Sequence, residues 1–205
     1  GGSNTIHNLG DIIVHADATS ISYAYARDFG LFDDGGSEHR EANASASAYG
    51  ILTGNADSLV INEGSIQVSA SATGDAGRTG AQAYGIKTGS GDDVVINQGT
   101  ITTAVTLNGV TVKGVGIDTG AGNDQVVFGD GSYIGCTLDL GEGNDSLTVI
   151  GSGTISGNVY AGLGTDRITL DGATNFDLDH SFDFEALGAE PEEVIFTGCG
   201  TESDN

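Results

Sequence analysis

The chain has 205 residues, and its 29 acidic against 6 basic side chains give a net charge of −23. Such an acidic chain is unsuited to a phosphate backbone or an anionic membrane surface, so we expect neither nucleic acid nor membrane insertion. No apolar run approaches the ~18 residues of a spanning helix. Val, Ile and Thr are abundant and regularly spaced, which favours ordered β structure over disorder. The sequence does not begin with methionine, so a processed or excised segment is expected.

One short unit recurs along the chain. The pattern x-Gly-Ile-x-Thr-Gly occupies residues 49–54, 84–89 and 115–120, with degenerate copies at 136–141 and 157–162. Their last glycines are therefore 35, 31, 21 and 21 residues apart. Each copy is followed by a turn, a short apolar strand, Asn-x-Gly or a substitute, and a third strand. The segment 5–10 matches the middle of this unit, so the chain is predicted to start within a coil.

Three short strands in about 21 residues, separated by turns, predict an all-β fold of the parallel β-helix (β-solenoid) type. The longer units carry extra residues at 70–83 and 105–112, which we expect to form loops at one corner. The Ala- and Ser-rich runs 41–48 and 71–82 fit loops or a loosely packed extra strand. We assign residues 1–172 to β-helix coils and 173–205 to modified terminal coils and an acidic tail.

Stacked coils place equivalent residues over one another at ~4.8 Å. Three inward apolar columns are predicted: Ile51, Ile86, Ile117, Leu138 and Val159; Leu59, Val94, Val126, Leu147 and Ile168; and Ile66, Ile101, Tyr133 and Ile155. A fourth column is predicted to be an asparagine ladder of Asn62 and Asn97, joined by Asn8 and replaced by glycine at Gly129 and Gly151. Its role is expected to be structural, since stacked amides bond to each other and to the turn.

Carboxylates follow every copy of the unit and form the candidate metal site. The residues are Asp57, Asp92, Asp93, Asp124, Asp145 and Asp166. The last four turns read Gly-x-Gly-x-Asp, which resembles half of the calcium motif of hemolysin-type repeats. Stacking brings like charges close together, and Ca²⁺ is a candidate cofactor that would bridge them. The alternative is a set of plain turn residues, because hemolysin-type sites need the motif about every nine residues.

The cysteines and histidines give weaker signals. Cys136 and Cys199 are 63 residues apart, or three coils of 21, which predicts a spacing too long for a disulfide. An interchain bond through Cys199 is the other option. His7, His15, His39 and His180 form no recognisable Ser/His/Asp or metal-binding motif along the sequence.

The segment 83–101, with its Tyr84-Gly-Ile-Lys-Thr-Gly-Ser-Gly-Asp-Asp sequence, resembles the passenger repeats of bacterial autotransporter adhesins. Phe184-Glu-Ala-Leu before a closing strand resembles them too, and the similarity extends over residues 45–197. The resemblance implies a secreted, right-handed β-helix on the surface of a Gram-negative bacterium, with a role in adhesion, aggregation or biofilm. This chain would then be a segment of the passenger.

Three functions are compatible with these observations. The first is a non-enzymatic extracellular adhesin or structural filament that self-associates through its ends or faces and contacts a surface glycan or protein receptor. The second is a calcium-binding secreted repeat module. The third is a polysaccharide-active enzyme, for which Lys87 and Asp118 occupy equivalent repeat positions on one surface. The basic residues are otherwise scattered, so we expect no enzyme.

Overall fold

The computed structural model describes residues 3–20, 24–25, 38–39, 43–74, 79–173, 176 and 180–189. These residues form three parallel sheets, and successive turns of the chain add one strand to each sheet in order. This is the arrangement of a parallel β-helix, so the fold predicted from the sequence is confirmed. Among the described residues, no helix is long and apolar enough to cross a membrane.

The three sheets are named by the order in which the chain enters them. Sheet 1 contains β1 (Asn4–Asn8), β6 (Ser58–Asn62), β9 (Val94–Asn97), β13 (Gln125–Phe128), β16 (Ser146–Ile150), β19 (Arg167–Asp171) and β21 (Ala186–Ala189). Sheet 2 contains β2 (Asp11–Thr19), β7 (Ser65–Thr73), β10 (Thr100–Leu107), β14 (Tyr133–Ile134) and β17 (Thr154–Ile155), with β11 (Val110–Val112) paired to β10. Sheet 3 contains β5 (Ala44–Leu52), β8 (Thr79–Lys87), β12 (Val115–Asp118), β15 (Thr137–Asp139), β18 (Val159–Tyr160) and β20 (Ser181–Phe182). A separate antiparallel pair joins β3 (Ala24–Tyr25) and β4 (Glu38–His39).

The inward column of sheet 3 is confirmed. Ile51, Ile86, Ile117, Leu138 and Val159 are in register, and each is at most 5 % exposed. Burial of such aliphatic side chains contributes roughly 1.5–3 kcal/mol each, so this column is a main source of stability.

The inward column of sheet 1 was predicted one residue out of register at its amino-terminal end. Val126, Leu147 and Ile168 are buried as expected, but they align with Val95 and Val60. Leu59 and Val94 therefore lie on the outer face and are partly exposed. The prediction failed because strands β6 and β9 are apolar on both faces, so a shift by one residue leaves the hydrophobic pattern unchanged.

Sheet 2 shows the same kind of error at one position. Ile134, not Tyr133, is in register with Ile66, Ile101 and Ile155, and it is fully buried. Tyr133 points outward and is 38 % exposed. A two-residue strand such as β14 has no alternation from which its inner face can be read.

The asparagine ladder is confirmed across three coils. Asn8 Nδ2 donates to Asn62 Oδ1 at 2.7 Å, and Asn62 Nδ2 donates to Asn97 Oδ1 at 2.7 Å. The predicted continuation through Gly129 and Gly151 is wrong, because Asn97 is in register with Phe128, and Phe128 with Val149. Phe128 is fully buried, so an aromatic ring replaces the amide where the coils become shorter.

The extra residues of the long units extend the strands, and the loops expected at 70–83 and 105–112 are largely absent. Strand β7 runs to Thr73 and β8 begins at Thr79, so most of 70–83 continues sheets 2 and 3; residues 75–78 lie outside the described part. The inner positions of these extensions are mostly small: Ala44, Ala46, Ala48, Ala70, Ala72 and Ala83 are all at most 5 % exposed. Alanine lets the two extended sheets pack closely, which explains the Ala-rich composition.

The second insertion forms a β-hairpin. Strands β10 and β11 pair antiparallel around Asn108 and Gly109, which both have positive φ, at 48° and 83°. Asn-Gly is the preferred sequence for such a two-residue turn. Strand β14 covers only the first two residues of β10, and β11 pairs with the last three. The hairpin therefore protects an edge that the next, shorter coil leaves open.

The terminal segment extends the same architecture. Strand β20 pairs with β18 in sheet 3, and β21 pairs with β19 in sheet 1. The sequence also predicts a last strand at 194–197 and an acidic tail at 201–205, and both segments, with Cys199, lie outside the described residues.

Candidate functional site

The corner after each sheet 3 strand holds the predicted carboxylates. Backbone bridges join Ser90 to Ala121, Ala121 to Glu142 and Glu142 to Leu163, so the corners stack directly on one another. At Gly141 φ is +95°, and a Cβ there would collide with the carbonyl of Gly120 in the preceding coil. Only glycine fits this position, which explains the first glycine of the Gly-x-Gly-x-Asp turns.

Four of the six predicted residues form one column, which we call the buried ladder: Asp93, Asp124, Asp145 and Asp166, each at most 2 % exposed. One carboxylate oxygen, Oδ1, of each accepts a hydrogen bond from a backbone N–H of the preceding coil. The donors are Ser58 to Asp93 at 2.7 Å, Asp93 to Asp124 at 2.8 Å, Asp124 to Asp145 at 2.8 Å and Asp145 to Asp166 at 2.7 Å. Glu185 Oε2 takes the same place at the end, accepting from the N–H of Asp166 at 2.6 Å.

The other two predicted residues begin a second column one position earlier, which we call the outer ladder: Asp57, Asp92, Asn123 and Asn144. These side chains reach the opposite way. Asp57 Oδ1 accepts from the N–H of Asp92 in the following coil at 3.0 Å, and Asp92 Oδ1 accepts from the N–H of Asn123 at 2.8 Å. The change from aspartate to asparagine keeps the acceptor and removes the charge.

Burial perturbs the ladder's ionisation. The pKa of Asp124 is raised to about 7, chiefly by burial. The hydrogen bond from the N–H of Asp93 opposes this increase, and repulsion from Asp145 and Asp93 adds to it. Burial also raises the pKa of Asp145 to about 6, with repulsion from Asp166 acting in the same direction. Asp124 and Asp145 therefore retain their protons to higher pH than ordinary aspartates do.

The predicted metal ligands do not converge on one point. They are distributed over two columns, and among the described residues no cluster of three or more His, Cys, Asp or Glu side chains is arranged to hold a metal ion. Ca²⁺ usually takes six to eight oxygen ligands. The second carboxylate oxygen, Oδ2, of every buried-ladder aspartate is buried without a hydrogen-bond partner, which leaves one uncommitted oxygen per coil.

A second polar column lies on the outer face of sheet 3. Lys87 and Asp118 are in register and form an ion pair, as the equivalence of their repeat positions suggested, and Asp139 follows in the next coil. Lys87 Nζ also lies 4.8 Å from the ring centre of Tyr84, which stacks on Tyr49. The pKa of Asp139 is raised by burial and by the neighbouring Asp118.

The structure also brings together a group that the sequence did not reveal. His15 Nδ1 is 2.6 Å from Ser69 Oγ, and His15 Nε2 is 2.7 Å from Asp17 Oδ2. No motif along the sequence marks this Ser/His/Asp grouping. Ser69 and His15 are 54 residues apart and meet only because β2 and β7 pair in register. The repeat register, had it been extended to the first coil, was the signal that could have placed them together.

Cys136 is fully buried, and its thiol lies 4.0 Å from the carbonyl oxygen of Ile101. Burial raises the pKa of this thiol, which lowers its reactivity. The predicted absence of a bond to Cys199 stays a prediction, because Cys199 is outside the described residues.

A scan against protein-family models gives no match to this chain, and searches of the curated proteins and of the solved structures return none either.

Proposed function

We propose that this chain is a structural and adhesive segment of an extracellular surface protein, and that it binds other copies of itself. The observation that carries the proposal is an aliphatic outer face on sheet 1 that lacks acidic side chains in its two central columns. In a chain with a net charge of −23, such a face is where two copies meet with the least repulsion.

The face is built by residues that alternate with the buried column of sheet 1. Leu59, Ile61, Val94, Ile96 and Val127 are all outward and partly exposed. The same two columns continue through Thr5, His7, Gln125, Ser146, Thr148, Arg167 and Thr169. Acidic residues such as Glu63 and Asp171 occur only beside these columns. Strands that are apolar on both faces are typical of sheets covered on both sides.

The dimensions of the face predict weak pairing. Six strands at ~4.8 Å and four to five residues at ~3.3 Å give roughly 24 by 15 Å, or about 350 Å² on each copy. Stable interfaces bury about 800 Å² per partner. A single contact is therefore weak, and many copies displayed on one surface would add up through multivalency. This behaviour suits aggregation or a surface layer.

Sedimentation velocity and light scattering over a concentration series test the proposal. We expect concentration-dependent association for the wild type and its loss in Ile96→Lys, which places a charge in the centre of the face. Thr102→Lys on the outer face of sheet 2 is the matched control and should associate like the wild type. Circular dichroism checks the folding of each variant. A wild type that stays monomeric at the highest concentration, with and without calcium, would refute self-association.

The extracellular location is proposed on composition and on the resemblance to autotransporter passengers. A high negative charge keeps a repetitive β protein soluble outside the cell. A surface glycan or protein receptor is the further partner we propose, and binding of the purified chain to glycan arrays and to host-cell surfaces tests it.

Calcium binding is a second candidate function, favoured by the unpartnered Oδ2 atoms of the buried ladder. If these oxygens bind Ca²⁺, titration calorimetry will show saturable binding. The melting temperature will then be higher with calcium than with a chelator. Asp145→Asn should weaken that binding, whereas Asp130→Asn, at an exposed turn, should not. Absence of heat and of a melting shift in the wild type would leave the aspartates as structural turn residues.

A further inference from the structure

We propose that Ser69, His15 and Asp17 form a hydrolytic site on the outer face of sheet 2, with an activated ester as its substrate class. The proposal is independent of self-association, since these residues lie on sheet 2 and the face proposed to bind other copies lies on sheet 1.

The site follows from strand register. Strands β2 and β7 pair so that His15 lies opposite Ser69 and Asp17 opposite Ser71. His15 and Asp17 are two residues apart on β2 and so share its outer face. The contacts are continuous, with 2.6 Å between Ser69 Oγ and His15 Nδ1 and 2.7 Å between His15 Nε2 and Asp17 Oδ2. A nucleophile, a base and a group that orients the base therefore lie in one line.

The aspartate fixes the tautomer of the neutral imidazole. An ionised carboxylate only accepts hydrogen bonds, so His15 must carry its proton on Nε2 to bond Asp17. Nδ1 then has a free lone pair directed at Ser69, and the serine hydroxyl donates to it. Ser69 Oγ also lies 3.5 Å from the carbonyl oxygen of Val14, a longer and weaker alternative. In a serine protease the Nε2 atom of histidine faces the serine and Nδ1 faces the aspartate, whereas here Nδ1 faces Ser69 and Nε2 faces Asp17. The proton still passes from serine to histidine.

Ser69 borders a shallow groove of about 220 Å³ on this face. Ile13 and Ala104 give the groove apolar walls, while Gln67 and Thr102 contribute polar groups. Gln67 is two residues before Ser69 on the same face, and Thr102 is in register with Gln67 on β10. A side-chain amide and a hydroxyl are suitable donors to a developing oxyanion. A small acyl group would lie against Ile13 with its carbonyl towards these donors.

The reaction balances without any further cofactor. Ser69 Oγ attacks the ester carbonyl while its proton passes to His15 Nδ1, and the ester C–O bond breaks. His15 returns that proton to the departing alcohol. Water then attacks the acyl-serine, gives a proton to His15 and releases the carboxylic acid, and the proton returns to Ser69. The sum is ester plus water to acid plus alcohol.

Exposure limits the expected rate. The side chains of His15 and Asp17 are 58 % and 62 % exposed, so water screens the interactions that strengthen a buried triad. Activated esters with good leaving groups are therefore the expected substrates.

Covalent labelling tests the nucleophile. A fluorophosphonate probe should label one serine per chain, and peptide mapping should locate the label at Ser69. The protein should also hydrolyse 4-nitrophenyl acetate faster than buffer alone. Ser69→Ala should abolish the label and the excess rate. Ser71→Ala, two residues along the same outer face, is the matched control and should retain both. Absence of labelling, or labelling that persists in Ser69→Ala, would overturn the proposal.

The base and the positioning residue are tested separately. His15→Gln should lower the esterase rate about 100-fold, which is the lower end of the range for loss of a general base. Asp17→Asn should lower the rate, and Asp17→Glu should restore it, which a purely structural role would not predict. Unchanged rates in His15→Gln would contradict the assignment. Ile96→Lys should keep full esterase activity, so failure of self-association and failure of this site are distinguishable.

Discussion

Each aspartate of the buried ladder has two oxygens with different environments. Oδ1 accepts a backbone N–H of the neighbouring coil, while Oδ2 is buried without a partner. Burying a charge is costly unless it is neutralised. The raised pKa values of Asp124 and Asp145 show how the fold reduces that cost, because a bound proton removes the charge and leaves the Oδ1 bond in place.

The ladder predicts that stability falls as pH rises. An aspartate whose folded pKa of about 7 exceeds the unfolded value of ~3.9 binds its proton more tightly when folded. This tighter proton binding stabilises the folded state fully below about pH 4, and the stabilisation is lost as pH rises through about 7. We expect the melting temperature to fall by on the order of 5 °C between pH 5 and 8, and Asp124→Asn to flatten this dependence.

Asp130 supplies the matched control for that experiment. Hydrogen bonds from Ser152 lower the pKa of this exposed carboxylate, so its contribution is lost as pH falls. Asp130→Asn should leave the decline between pH 5 and 8 intact. A decline of equal slope in Asp124→Asn and the wild type would show that the buried ladder does not titrate in this range.

Glycine substitutions separate conformational strain from stacking. Gly131 and Gly141 both have positive φ, at 75° and 95°, but only Gly141 would bring a Cβ against another coil. We expect Gly131→Ala to cost about 1–2 kcal/mol of unfolding free energy and Gly141→Ala distinctly more. Chemical denaturation measures both. Equal losses would mean that the close approach between coils relaxes without cost.

At the scale of the strand, sheet 1 tests the corrected register. Val94 and Val95 are neighbours of the same residue type on opposite faces of β9, and Val95 is fully buried. Val95→Ala should cost about 2 kcal/mol through lost burial and a residual cavity. Val94→Ala should cost about 0.5 kcal/mol or less. Urea unfolding distinguishes them, and a larger loss for Val94→Ala would restore the register first expected from the sequence.

The sequence predicted those elements whose repeats carry an unambiguous marker. Asn62 and Asn97 mark one column correctly, although its continuation through glycine is wrong. The Gly-x-Gly-x-Asp turns mark the buried ladder, but Asp57 and Asp92 belong to the outer ladder. Leu59 and Tyr133 were misplaced because doubly apolar strands and two-residue strands have no alternation to read. The contact between His15 and Ser69 depends on pairing over 54 residues, which no local pattern encodes.

The whole chain carries a net charge of −23. Like charges on stacked coils lie at repeated short distances, so their repulsion accumulates along the solenoid axis. Salt shortens the Debye length from ~30 Å at 0.01 M to ~3 Å at 1 M. The folded state should therefore gain stability from screening, in addition to any specific ion binding.

We expect the melting temperature to rise between 0.01 and 0.5 M salt, and to rise equally for sodium and potassium chloride. Differential scanning calorimetry at fixed pH measures this effect. A rise in melting temperature at low millimolar calcium that exceeds the rise at the same ionic strength of sodium chloride would identify binding at defined sites. A melting temperature that does not change with salt would show that surface repulsion contributes little.

The two ladders have one consequence for how such a protein can change in length. Each corner donates an N–H to the coil after it through the buried ladder and to the coil before it through the outer ladder. Every 21-residue unit of the later coils therefore presents the same donors and acceptors at its two ends. Duplication or deletion of one whole unit would reconnect these bonds without creating an unpaired group. The number of coils is thus free to vary by recombination, while Glu185, which ends the buried ladder in this chain, provides a way to stop the series.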